Sequence, residues 1–169
     1  MDMNRKRAVR TSITVAGLAG LLVAGMAAAQ SPPKVGSGDI LADRIRLMRL
    51  NNESMKDMQA KAKADNIEAI AVNAETIALN AMHIPLLFPQ GSIPEKSRAK
   101  PEIWQRWAQF EKAAKDLQAQ AERIRDAAKA KNVAAVQEML KTFPKQNCGA
   151  CHTPLSDGGS FGPIFRSLQ

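Results

Sequence analysis

Apolar residues recur every three or four positions along most of the chain beyond residue 38, the spacing that gathers side chains on one face of an α-helix. Asp39 can cap the first such segment, which runs to about Lys63. Asn52 interrupts its apolar stripe where another apolar residue would fit. The stripe comprises Leu41, Ile45, Met48, Met55 and Ala62.

A second helix follows, for which Asp65 or Asn66 can supply the cap. It must end near His83, because Pro85 disfavours helical geometry in the residue before it. Small residues on its apolar face permit close approach of a neighbouring helix. That face comprises Ile67, Ile70, Ala71, Ala74, Ile77, Ala78 and Ala81.

The segment 84–100 contains three prolines and shows no periodicity. We expect it to cross along the neighbouring helices, pinned to the core by Leu86, Leu87 and Phe88. Pro101 suits the first turn of a third helix. The apolar positions of that helix are Ile103, Trp107, Phe110, Ala114, Leu117, Ala121, Ile124 and Ala128.

Asn132 can cap a fourth helix, which ends or starts a new turn at Pro144. Its apolar positions are Val133, Val136, Leu140 and Phe143. These elements predict an all-α protein, an antiparallel four-helix bundle over 39–154 with a long crossover between its second and third helices. Composition agrees, since Tyr is absent and helix-forming residues abound.

The first 29 residues read as a secretory signal peptide, with a basic start, an apolar run from Ile13 to Gly25, and small residues before a cut after Ala29. The run is shorter than the ~20 residues of a spanning helix. Residues 30–38 then form a flexible linker. Removing the signal leaves 20 basic and 15 acidic residues, so the remaining charge is a weak argument for nucleic-acid binding.

Chemistry concentrates in Cys148-Gly149-Ala150-Cys151-His152. Positions three apart share a helix face, so both thiols can reach the vinyl groups on one edge of a haem, and His152 can place a nitrogen under the iron. This run is the signature of covalent c-type haem attachment. Three alternatives are less well supported: a thioredoxin-like redox pair without its βαβ context, a zinc site short of ligands, and a strained disulfide.

The order of these features resembles the cytochrome c′ family of class II c-type cytochromes, especially its low-spin, methionine-ligated members. The resemblance covers about residues 39–154 and rests on the haem motif near the C-terminal end, Leu87-Phe88-Pro89, Lys100-Pro101-Glu102-Ile103-Trp104 and Phe110. Family members usually continue helically beyond the histidine. Here Pro154 follows quickly, so we expect a loop-like tail over 155–169.

The resemblance implies one haem c, with His152 as proximal ligand. In the family the distal residue comes from the first helix, and Met48 falls at that position. Met55 and Met58 are rival candidates or core methionines. Methionine ligation would give a low-spin electron carrier, whereas a non-ligating residue would give a five-coordinate protein that binds NO or CO.

Other residues have ordinary explanations. His83 reads as a helix-end residue, and Trp104 and Trp107 as packing residues. Arg44, Arg46 and Arg49 either pair with a haem propionate or lie on a solvated face. No catalytic arrangement is evident. We therefore expect a periplasmic, non-enzymatic electron carrier that docks transiently on redox partners. It should not bind nucleic acid, and it should not span a membrane once its signal is removed. Dimers formed through the first two helices are common in the fold that the resemblance implies, so a homodimer is an option, but no decisive interface is evident in the sequence.

Overall fold

The computed structural model describes residues 36–152, which all lie within one compact unit. The predicted signal peptide over 1–29, the linker up to residue 35 and the tail over 155–169 fall outside these residues and stay predictions. Among the described residues, no helix is both long and apolar enough to cross a membrane.

The described residues form helices and no strand. The helices are α1 (Ile40–Lys63), α2 (Ile70–His83), α3 (Glu102–Gln105), α4 (Trp107–Lys129), α5 (Val133–Phe143) and α6 (Gly149–His152). A 3₁₀ turn covers Pro85–Leu87, and a π-helical turn, Pro144–Cys148, joins α5 to α6. Helix α2 packs on both α1 and α4, and α5 packs on α4. This confirms the predicted all-α four-helix bundle with a long crossover before its third long helix.

Two predicted N-caps form as expected. The carboxylate of Asp39 accepts a hydrogen bond from the backbone N–H of Ala42 at 3.0 Å, and the side chain of Asn132 accepts one from Ala135 at 3.1 Å. Each bond satisfies a backbone donor that a first helical turn leaves without an intrahelical partner. The starts of α1 and α5 are therefore set by single side chains.

The predicted cap of the second helix is wrong, because Asp65 ends α1 instead. Its backbone is left-handed, with φ of 56°. The N–H of Asn66 donates to the carbonyl of Lys61, and that of Asp65 to Ala62, which is the Schellman pattern of a helix C-terminus. Residues 66–69 then turn, so α2 begins at Ile70 without any side-chain cap.

The predicted third helix is also interrupted, at Arg106, where φ is −122° and ψ is 38°. Just before this break, the indole N–H of Trp104 lies 3.1 and 3.0 Å from the carbonyl oxygens of Phe88 and Pro89. Those bonds hold α3 against the crossover, whereas α4 lies along α2. The two parts of the predicted helix therefore pack against different parts of the fold.

The core lies where the apolar stripes of α2 and α4 meet. Every predicted α2 position is buried, as is every predicted position of the third helix except Trp107, which is half-buried. Alanines such as Ala74 and Ala121 have no exposed surface, which lets the two backbones approach closely. Two smaller predictions are wrong: Leu86 is 57% exposed and Val133 is 39% exposed.

Helix α1 has two apolar faces rather than one. Leu47 and Met58 are buried in the core, and most of the predicted stripe lies on a neighbouring side of the helix, where Met55 belongs both to the core and to a cavity lining. That stripe, including Ile45 and Met48, lines cavities beside the bundle. The sequence pattern of α1 therefore marks a cavity wall, and the interrupting Asn52 belongs to that wall.

Candidate haem-binding site

A cavity opens between α1 and the C-terminal segment, and residues from α2, α4 and the turn after α2 form what we call its floor. Its volume is about 360 Å³, which falls in the ~300–1,000 Å³ range of cofactor sites. The α1 wall consists of Met48, Asn51, Asn52 and Met55, and the floor of Ile77, Ile84, Phe110 and Leu117. The C-terminal wall consists of Phe143, Pro144, Asn147, Cys148, Cys151 and His152.

Pro144 explains how the C-terminal wall is built. Because proline has no backbone N–H, it cannot continue the hydrogen-bond ladder of α5. The chain responds with a π-helical turn, in which the N–H of Gly149 donates to the carbonyl of Pro144, five residues earlier. Such wide turns are frequent at functional sites. The turn leads directly into α6, so both cysteines and His152 line the same cavity.

The two cysteines are free thiols in this structure. Burial raises the pKa of the Cys148 thiol, and burial together with the neighbouring Cys148 raises the pKa of Cys151 to about 11. Redox-active Cys-x-x-Cys pairs have lowered pKa values, because the thiolate is the reactive species. Protonated thiols in apolar surroundings therefore argue against the thioredoxin-like alternative.

His152 lines the same wall and keeps part of its surface open to solvent. Surrounding protein atoms lower its pKa, and the positive charge of Arg98 lowers it further. Both effects favour the neutral imidazole, which is the form that ligates iron.

The structure places the three candidate methionines of α1 in different surroundings. Met48 and Met55 line the cavity, whereas Met58 is fully buried in the core and lines neither cavity beside the bundle. Met58 is thus a packing residue. Between the other two, Met48 alone also lines the second cavity, described next.

A second cavity of about 210 Å³ adjoins the first. Among the described residues, those common to both cavities are Met48 of α1 and His152 of α6. Of the described residues that line the second cavity, several are basic and none is a carboxylate. Its basic residues are Arg44, Lys96 and Arg98.

Arg44 differs from the other arginines of α1 because it is buried, at 6% exposure. Its Nε donates to the carbonyl of Leu87 at 2.7 Å, its Nη2 donates to Ser92, and its guanidinium lies 3.9 Å from the ring centroid of Phe88. Burial lowers its pKa to about 10. Its Nη1 is buried without a hydrogen-bond partner, so the site lacks an acceptor there.

Several other predicted candidates lie away from the cavities. Arg46 and Arg49 are exposed, and Arg46 pairs with Asp43 at 2.8 Å. His83 is exposed and its Nδ1 lies 2.7 Å from the carbonyl oxygen of Leu79. Trp104 and Trp107 line neither cavity and pack against the crossover and the bundle, as predicted.

Sequence reasoning missed the polar groups of the cavity walls. Asn51 was not identified, although it lies three residues after Met48 and so on the same helix face. Asn147 was also missed, and its Oδ1 is buried without a partner. No sequence pattern indicated that Lys96 and Arg98 line a cavity, because they lie in a crossover without periodicity.

The residues present fit a haem. The first cavity is lined largely by apolar side chains and carries two thiols and an imidazole on one wall. The second supplies a buried arginine whose Nη1 needs an acceptor, and guanidinium matches the geometry of a carboxylate such as a haem propionate. A carboxylate-bearing ligand in these cavities would supply the acceptor that Nη1 of Arg44 lacks.

A helical bundle with a Cys-x-x-Cys-His run on the wall of an apolar cavity defines the class of c-type haem proteins built on four helices. The family model for cytochrome C′ matches residues 39–154, well over half of the chain, so the chain belongs to that family. No curated protein and no solved structure matches the chain significantly. Family membership makes this a c-type haem protein.

Proposed function

We propose that the protein is a monohaem electron carrier whose iron is ligated by His152 and Met48. The observation that carries this proposal is that these two residues, from two different helices, are the described residues common to the two adjoining cavities. A bound haem would supply a one-electron Fe(III)/Fe(II) couple, and a thioether ligand raises its reduction potential.

The roles of the other residues follow from their positions. The Cys148 and Cys151 thiols would attach the haem, each sulfur adding to one vinyl carbon while its proton goes to the other. Arg44 would donate from Nη1 to a propionate. The apolar floor formed by residues such as Ile77 and Phe110 would exclude water and keep the surroundings of the iron at low dielectric.

The proposed setting is the periplasm. Cytochrome c′ family members are generally periplasmic, and the N-terminal 29 residues have the pattern of a secretory signal. The protein would act without transforming a substrate, by transient docking on redox partners. The basic residues of the second cavity, including Lys96 and Arg98, suit an acidic docking surface.

The test is the visible spectrum of a Met48→Ala variant of the holoprotein. We expect a change from low-spin to high-spin or water-ligated iron and a new ability of the reduced protein to bind CO, because the thioether ligand is lost. Met58→Leu is the matched control, since Met58 lies in the core, and it should leave the spectrum unchanged. A Met48→Ala spectrum identical to wild type would contradict the assignment. It would favour a five-coordinate, gas-binding protein if both spectra are high-spin, and ligation by Met55 if both are low-spin.

A further inference from the structure

The α1 wall of the main cavity carries two amide side chains beside the proposed ligand. Met48, Asn51, Asn52 and Met55 share one helix face, and all four line the cavity. Helical side chains lean toward the N-terminus of their helix, so those of Asn51 and Asn52 both lean toward Met48. Most of the other lining residues are apolar, which makes amides here unexpected.

Asn51 is held in place, whereas Asn52 is not. The Oδ1 of Asn51 accepts a hydrogen bond of 2.8 Å from the Nδ2 of Asn80, a residue of α2. Asn52 is exposed and makes a contact of 3.4 Å with its neighbour Glu53. The bond from Asn80 engages the oxygen of Asn51, and the donor that this side chain can still offer is its amide nitrogen, Nδ2.

We propose that Asn51 is a positioning residue for the distal ligand and that, once haem is bound, its Nδ2 donates to the sulfur of Met48. This inference rests on the proposed function, because it requires Met48 to ligate. A hydrogen bond to the sulfur withdraws electron density from it, which makes the thioether a weaker donor to Fe(III) and favours Fe(II). The bond from Asn80 polarises the same amide and strengthens its donor.

The inference is tested with Asn51→Leu holoprotein, which keeps the side-chain size and removes the donor. A net hydrogen bond is worth about 0.5–1.5 kcal/mol, so at a fixed electrode potential the ratio of oxidised to reduced protein should rise roughly 2- to 10-fold. The reduction potential therefore falls. The sulfur-to-iron charge-transfer band of the ferric protein should move to longer wavelength, because the sulfur electrons become easier to remove.

Two further variants complete the experiment. Asn80→Leu releases Asn51 without touching the cavity wall, and it should shift both readouts in the same direction by a smaller amount. Should Asn51→Leu yield no folded holoprotein, Asn80→Leu decides alone. Asn66→Leu changes an exposed asparagine outside both cavities and should shift neither readout.

The possible outcomes separate the two proposals. If Met48→Ala leaves the spectrum unchanged, ligation by Met48 is wrong and the role of Asn51 falls with it. If Met48→Ala changes the spectrum but the asparagine variants keep the wild-type potential and band position, ligation stands and the role of Asn51 is overturned. A purely structural role would lower the melting temperature of the Asn51 and Asn80 variants and leave the band in place.

Discussion

The two walls of the main cavity differ in how their chemistry is specified. The C-terminal wall draws its cysteines and His152 from one five-residue run, on a turn fixed by Pro144. The α1 wall draws its proposed ligand from one of several methionines on a long helix. Covalent attachment demands a fixed spacing between the cysteines, whereas ligation demands only that one side chain of the helix reach the iron. One wall is therefore defined by a motif and the other by helix register.

The largest expected effect comes from removing the two cysteines of the C-terminal wall. Replacing both thiols, Cys148→Ala with Cys151→Ala, removes both proposed thioether bonds, so acidified organic solvent should extract all of the haem, whereas wild type should retain it. The measurement is haem absorbance in the solvent phase. Haem that stays on the protein of the double variant would contradict the attachment proposal.

The next largest effect, on stability, concerns the hydrogen bonds by which Arg44 of α1 holds the crossover. Arg44→Met removes the hydrogen bonds to Leu87 and Ser92 and leaves those carbonyl oxygens without their charged donor. We expect the free energy of unfolding to fall by about 2–3 kcal/mol, measured by denaturant titration of the holoprotein. Arg49→Met on the exposed side of α1 should change it by less than about 0.5 kcal/mol. Equal losses of unfolding free energy in the two variants would show that the buried hydrogen bonds of Arg44 do not stabilise the protein.

The smallest effect concerns the start of the α1 wall. Asp39→Ala removes the cap on the N–H of Ala42 and should lower the free energy of unfolding by about 1 kcal/mol. Asp39→Asn keeps an oxygen acceptor and should retain most of that stability. The cap would be irrelevant if both variants unfolded at the same denaturant concentration as wild type.

The sequence predicted the bundle well where periodicity and burial coincide. The stripes of α2 and α4 are repeated over several turns, and their positions pack against each other as expected. Helix boundaries were less predictable where one residue can serve two purposes. Asp65 could cap α2 or end α1, and only its left-handed backbone, stabilised by bonds to the end of α1, decides between them.

The candidate site was predictable only in part, for a related reason. The cysteines and His152 are recognisable because their chemistry is local in sequence. Asn51 and Arg44 acquire their surroundings from α2 and from the crossover, more than 25 residues away, and no local pattern contains that information. The apolar stripe of α1 did not by itself distinguish a core from a cavity wall, because both demand the same kind of side chain.

The central claim is that Met48 of α1 and His152 of α6 ligate one iron. The most direct test is the visible absorption spectrum of the purified wild-type holoprotein when oxidised, when reduced, and when reduced under CO. Six-coordinate iron predicts sharp, separate α and β bands on reduction that do not change with CO. A broad high-spin spectrum that shifts when CO is added would contradict the claim and leave Met48 as a side chain that only fills the cavity wall.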